Sequence, residues 1–424
     1  MSCDRQRSRR SLKVSLENIQ EVRLAFSRSP FPSQQALATE LGLSRDTVRK
    51  FFSGIPIERL NFIEFCEKLG LEWQDIIPKT DDTSQSTLPS DFYVERPPIE
   101  SDCCEAIVKP GALLRIKAPQ QMGKTWLMRR VLKHTREQGY TNVTLSFNLA
   151  DSRIFTDLES FSKWFCVAVS QKLGLPNQLT YYWDDILGCN YNTTVYFQNY
   201  LLAKVTSPLV LALDKVDLVF EHPEIALDFC RLLRNWHDQA RRGDRTSSIW
   251  QKLRLIIVHS TEVYRSLDIN SSPLNGVGVV VDLPDFSSEQ VEKLASQYQL
   301  TWNTDQINQL IELVSGHPYL VQLTFSHIES KGITLDQVFA EAATEAGLYG
   351  DHLRKKLRNL EQDPDLTRAF CKVLYVEENK PVELKPMVAK YLQRLGLVKL
   401  RGNFTVLRCQ LYGDYFRHRL SCDH

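Results

Sequence analysis

The chain has 424 residues, 43% of them hydrophobic and 24% charged, a balance that supports several buried cores and excludes global disorder. With 52 Lys and Arg against 51 Asp and Glu, attraction of the whole chain to nucleic acid or membrane is excluded, and any such binding must come from a local patch. No apolar run reaches the ~18–20 residues of a membrane span. Ten cysteines without a C-x-x-C pair read as reduced thiols of a cytoplasmic protein.

The first element in chain order is a helical module at 1–77. Ser33 to Leu41 has helical spacing with Leu37 and Leu41 on one face, Gly42-Leu43-Ser44 makes a turn, and Ser44 caps a second helix from Arg45 to Phe52. Val48, Phe51 and Phe52 then face a core, leaving Arg45, Thr47, Arg49 and Lys50 outward to reach phosphates or base edges. Leu60 to Gly70 supplies a further packing helix. The pattern resembles a helix-turn-helix of the phage-repressor type. Residues 1–53 hold ten Lys and Arg, among them Arg5, Arg7, Arg9, Arg10 and Lys13, against five acids. A basic arm beside such a helix suits DNA; the other reading is a solvated basic face on which a signalling protein docks. The polar stretch 78–90 has one large apolar residue, Leu88, and reads as a linker.

Beyond it, short β-rich runs at 113–117, 143–147, 209–213, 255–258 and 277–281 alternate with helical spacing, as at 126–134 and 158–173. This alternation predicts a mostly parallel sheet covered by helices on both faces over 91–284. Ala118-Pro119-Gln120-Gln121-Met122-Gly123-Lys124-Thr125 follows a strand and opens a helix, the context of a phosphate-binding Walker A loop. Backbone N–H groups from Gln121 to Trp126, together with the helix N-terminus, offer partial positive charge to phosphate. Gly123 allows close approach of the backbone, Lys124 neutralises the β- and γ-phosphates, and the Thr125 hydroxyl holds Mg²⁺. Ala118 stands where the pattern has its first glycine, which requires a negative φ there.

The run Leu209 to Asp214 is a buried strand ending in an acid, placing Asp214 to take a water of the Mg²⁺ shell. Lys215 follows where a second, water-orienting acid is usual, and Asp217 substitutes only if the strand end bends, so slow hydrolysis of ATP is expected. A third strand ends in His259-Ser260-Thr261-Glu262; His259 and Ser260 either sense the γ-phosphate or cap the next turn. Arg231 and Arg234 read either as charge-stabilising arginines or, the favoured reading, as a solvated helix face.

After Asp285 a capping box of Ser287 and Gln290 opens a run of helices to about Tyr375. A helix at 385–395, a hairpin turning at Arg401-Gly402-Asn403 and a helix at 411–420 complete the chain. Residues 92–420 together resemble the AAA-like, STAND-type P-loop ATPases of bacterial signalling proteins. The anchors are Tyr93-Val94-Glu95-Arg96-Pro97-Pro98, the loop at 118–125, the strand end at Asp214, and Gly316-His317-Pro318. The resemblance implies an α/β core of strand order 5-1-4-3-2, a helical lid at 285–350 and a winged helix at 351–424. It lays Val94 and Arg96 along the adenine, packs Pro318 on the base and brings His317 to the phosphates. It implies a switch biased by ATP or ADP with Mg²⁺, coupled to DNA or a signalling protein, with a nucleotide-dependent homo-oligomer and no membrane. Two other classes stay open: a DNA-binding regulator with a structural ADP site, and a DNA-stimulated oligomeric ATPase.

Overall fold

The computed structural model describes residues 11–15, 18–71, 73–77, 92–262, 273–376 and 380–420. The expected arm at 5–10 and the linker at 78–90 lie outside these residues. The chain divides into two compact units, 95–284 on one side and 1–94 with 285–424 on the other.

The unit 95–284 is built on five parallel strands: β1 (Leu113–Ala118), β2 (Thr141–Ser146), β3 (Leu209–Asp214), β4 (Leu253–Ser260) and β5 (Val279–Asp282). Their order across the sheet is β5-β1-β4-β3-β2. Every residue of β3 and β4 is buried, which is why those segments read as unbroken apolar runs. Side chains still alternate between faces. Leu114, Ile116, Val210, Ala212, Ile256 and Val258 join Leu127 and Val131 of the helix Lys124–Glu137 in one cluster. Their neighbours Leu113, Leu211, Leu213, Leu255 and Ile257 join Phe165, Phe229 and Trp236 in the other. With both faces covered by helices, the carboxyl ends of the parallel strands are left along one edge of the sheet.

In the second unit, helices Gln34–Leu41 and Arg45–Phe52 are joined by a short turn, with the Ser33 and Ser44 hydroxyls accepting from the Ala36 and Thr47 N–H groups. Phe51 is fully buried, stacked on Phe65 and edge-on to Phe52 and Phe62. Arg45 and Arg49 are exposed, Thr47 and Lys50 half-buried. These helices pack with the 285–424 part of the unit. Ser326 Oγ donates to Glu58 at 3.3 Å, and the Asp351 carboxyl lies against Gly42. Tyr319 is held well above the usual phenol range by burial and by Glu64, Asp351 and Glu58.

Six helices from Ser288 to Leu374 precede a helix at Pro386–Arg394, an antiparallel pair Val398–Arg401 and Phe404–Leu407, and a helix at Gln410–Arg417. The capping box of Ser287 and Gln290 is present in full. Cys371 is disulfide-bonded, which corrects the expectation of reduced thiols throughout; Cys66, Cys103, Cys104, Cys166, Cys189, Cys230 and Cys409 remain thiols.

Ser315 and Gly316 are both left-handed, with φ of 59° and 68°. A Cβ on Gly316 would stand 2.3 Å from the Phe286 carbonyl oxygen, whose residue donates its own N–H to Gly316 O at 2.8 Å. Gly316→Ala therefore combines a strained φ with a backbone clash and is expected to cost at least about 2 kcal/mol. By calorimetry this lowers the melting temperature of the unit by several degrees (about 2–4 °C per kcal/mol); an unchanged melting temperature contradicts the close approach.

Candidate functional site

The parallel register sets Ala118 of β1 opposite Ser260 of β4, and β3 flanks β4 on its other side. Asp214 therefore lies two strand spacings from the loop strand, about 10 Å between backbones. Between β1 and its helix the chain runs through Gln121 and Gly123, both left-handed at φ 63° and 90°. Gly123 is the N-cap of Lys124–Glu137 and supplies no capping side chain, so the first-turn N–H groups, those of Thr125 and Trp126 included, keep their donor capacity at the loop. Ala118 remains in β1, with a negative φ.

Arg96 is buried, and its Nη1 donates to Met122 O at 2.9 Å. A Cβ on Gly123 would come within 2.9 Å of Nη2 of the same guanidinium. The Arg96 N–H is fixed by both carboxylate oxygens of Glu100 at 2.9 Å. Arg96 thus braces the loop itself, a role the resemblance, which lays it along adenine, does not give it. Val94 belongs to the second unit, in a cluster with Val291, Leu294 and Tyr298.

The Lys124 ammonium donates to Ala118 O at 3.0 Å and Pro119 O at 2.6 Å. Desolvation under the loop lowers its pKa to about 8, against the pull of Asp217, Glu262 and Asp214 and with the help of Lys215. Asp214 is buried, and its Oδ1 accepts the Lys215 N–H at 2.9 Å. Lys215 is left-handed at φ 58°, so the strand end bends, the condition for Asp217 to turn inward. Asp217 Oδ1 then accepts the Ser260 N–H at 2.9 Å, tying the turn after β3 to the end of β4.

His259 is buried edge-on to Phe220. Desolvation pushes its pKa well down despite Asp217, so it offers a neutral ring to the site. Thr261 donates its N–H to Ala118 O at 3.1 Å. The Glu262 carboxylate accepts the Gln120 N–H at 2.7 Å, an interaction that sequence reasoning missed. Its one sequence signal is an acid two residues past a strand end, which is too common to single out.

His317 and Pro318 lie in the second unit. Pro318 opens the helix Pro318–Lys331, and His317 is buried against His352, held well below its usual pKa by burial and by Arg408, His352 and Lys356. Arg45, Thr47, Arg49 and Lys50 lie in the same unit, where Asp46 pairs with Arg49 at 2.8 Å and Lys50 at 2.6 Å. Arg231 pairs with Asp228 at 2.9 Å and Arg234 with Asp238 at 3.5 Å on an exposed helix face. The structure thus gathers Gly123, Lys124, Asp214, Asp217, His259 and Ser260 at one sheet edge. Among the described residues, no group of three or more His, Cys, Asp or Glu is arranged to hold a metal, and no helix is long and apolar enough to cross a membrane.

No curated protein matches the sequence. Among solved structures, the Walker-type ATPase PABY2304 of Pyrococcus abyssi is 14% identical with a TM-score of 0.53, over 79% of this chain and 99% of that one. ORC2 of Aeropyrum pernix, in ADPNP–ADP complexes, is 14% identical with a TM-score of 0.43 over 79% and 97%. Cdc6p of Pyrobaculum aerophilum is 14% identical with a TM-score of 0.40 over 79% and 99%. The first of these shares the fold. The profile of one family, described as the AAA-like domain, matches residues 82–418, which take in the whole sheet, its loop and the helices that follow; the chain belongs to the AAA-like domain family.

Proposed function

We propose that this protein is a nucleotide-controlled switch of the STAND type, binding Mg²⁺ with ATP or ADP at the loop 118–125 and hydrolysing ATP slowly. The observation that carries the reading is Lys124, set among Asp214, Asp217 and Glu262 at the mouth of a loop opened by two left-handed residues. Loop amides from Gln121 to Trp126 and the Lys124 ammonium are the groups that hold the phosphates. Thr125 and Asp214 are the protein ligands on the Mg²⁺ side. Mg²⁺ in such sites keeps several waters and takes one or two protein oxygens besides phosphate, so a site without a three-acid cluster fits it. The nucleotide supplies a terminal phosphate whose presence distinguishes two states. Slow turnover follows from the acids: Lys215 stands where a second acid is usual, and an Asp217 oxygen is committed to the Ser260 amide.

On this reading 285–350 is the lid, with His317 and Pro318 as its motif, 351–424 is a winged helix, and 1–77 is a helix-turn-helix. Val94 and Arg96 form the segment leading to the base, with Arg96 bracing the loop. DNA is the partner proposed for Arg45, Thr47, Arg49 and Lys50. Docking of a signalling protein is the second reading, favoured by Asp46, whose carboxylate pairs with both Arg49 and Lys50 and opposes a phosphate there.

Lys124→Ala is expected to weaken ADP and ATP binding at least a hundredfold, ~2.8 kcal/mol, and to remove nucleotide that co-purifies with the native protein. Unchanged affinity in calorimetric titration removes the site assignment. The lowered ammonium pKa gives a pH profile with a fixed sign. Phosphate raises the pKa of the bound ammonium above its free value of about 8, so affinity is full below pH ~8 and falls by up to tenfold per pH unit above it. A dissociation constant that stays flat from about pH 7 to 9.5 contradicts a phosphate-facing Lys124.

For the N-terminal module, Arg45→Ala with Arg49→Ala in the full chain is expected to abolish a low-salt gel shift. The salt slope of binding should also fall by about one for each phosphate that these arginines neutralise. No retardation of either protein at low salt favours docking of a signalling protein, and retardation equal to wild type removes Arg45 and Arg49 from the DNA contact.

A further inference from the structure

Glu262 has a place in this site that the sequence pattern does not assign. Its carboxylate accepts the Gln120 N–H at 2.7 Å, a main-chain donor of the loop itself. The acid is not a loose surface group. Its own N–H donates to Ser260 Oγ at 3.2 Å, the preceding Thr261 N–H donates to Ala118 O, and the Ser260 N–H is taken by Asp217. Two of these hydrogen bonds fasten the end of β4 to the loop strand and to the turn after β3, and the third closes the turn on itself, placing one negative charge at the loop.

Gln120 lies on the strand side of the loop, next to the carboxyl end of β4, where His259 and Ser260 are the candidates for sensing a γ-phosphate. A terminal-phosphate oxygen drawn to the neighbouring loop amides and the Glu262 oxygen held on Gln120 carry the same sign. Within a site of reduced dielectric such a pair repels strongly. A nucleoside diphosphate leaves the Glu262–Gln120 bond in place, whereas a triphosphate brings its terminal charge up against that carboxylate.

We propose that Glu262 is a built-in competitor for the terminal phosphate, making the site selective for a nucleoside diphosphate over a triphosphate. This rests on the nucleotide-binding reading above. It makes the diphosphate-bound form the resting state and gives triphosphate binding a mechanical consequence, release of the Glu262 turn from the loop.

The test is calorimetric titration of the nucleotide-stripped full chain with Mg-ADP and with a non-hydrolysable Mg-ATP analogue. Wild type is expected to bind ADP at least about tenfold more tightly than the analogue. In Glu262→Gln the ratio should fall to within about threefold, chiefly through tighter binding of the triphosphate. Glu262→Asp keeps the charge and should keep the preference for ADP. Equal or tighter binding of the triphosphate by wild type overturns the proposal without any variant. A ratio unchanged in Glu262→Gln also overturns it, even if hydrolysis is lost, since Glu262 would then be acting on water. Should Glu262→Gln fail to give a cooperative melt, the wild-type ratio and that of Glu262→Asp decide: the proposal stands if both prefer ADP and falls if either does not. If wild type binds neither ligand, the nucleotide reading itself falls, an outcome distinct from all of these.

Discussion

The parallel pairing of β1 with β4 is the constraint on which the candidate site depends. Six successive register pairs, from Leu113 with Leu255 to Ala118 with Ser260, bring two chain segments about 140 residues apart to the same height. Where the pairing ends, it hands over to the Thr261 N–H on Ala118 O and then to Glu262 on Gln120. A slip of one residue would exchange the faces of every side chain in the pair. Ile116 and Val258 would leave one apolar cluster for the other, and Glu262 would miss the loop. Burial of both faces therefore fixes the position of a polar interaction at the sheet edge.

The charges at that edge form a small, strongly coupled set. One ammonium, Lys124, is desolvated under its own loop and pulled on by three carboxylates, while Lys215 opposes it. In this arrangement an incoming polyphosphate competes with carbonyls for the ammonium and with carboxylates for the amides. Its net affinity is a difference between large terms, as for any buried ion pair. That is useful for a switch, because a change of one phosphate then alters a finely balanced sum, and states are populated according to differential affinity alone.

Much of this was legible in the sequence, and for a physical reason. The loop at 118–125, the capping box at Ser287 and the cap at Ser44 are local devices whose partners lie within four residues, so spacing reveals them. The buried strands β3 and β4 were legible as apolar runs. The edges were less so: β2 pairs only with β3, begins at Thr141 and Asn142 with half-buried polar side chains, and so starts before its apolar pattern does. Glu262 and the placement of Arg96 against Met122 and Gly123 were not legible. Each depends on register or proximity across many residues, and the residue types involved are ordinary ones in ordinary local settings.

The bend after β3 shows how one backbone feature sets the chemistry the edge can support. Lys215 adopts a left-handed conformation, uncommon for a residue with a side chain. That turn lets Asp214 accept the Lys215 N–H and swings Asp217 onto Ser260. That hydrogen bond holds one Asp217 oxygen in place, while the carboxylate stays within electrostatic reach of Lys124. On the proposed reading, an oxygen occupied in this way cannot also orient an attacking water. A chain shaped this way would then hold a bound nucleotide for long periods, and its output would depend on which nucleotide is bound more than on how fast it is turned over.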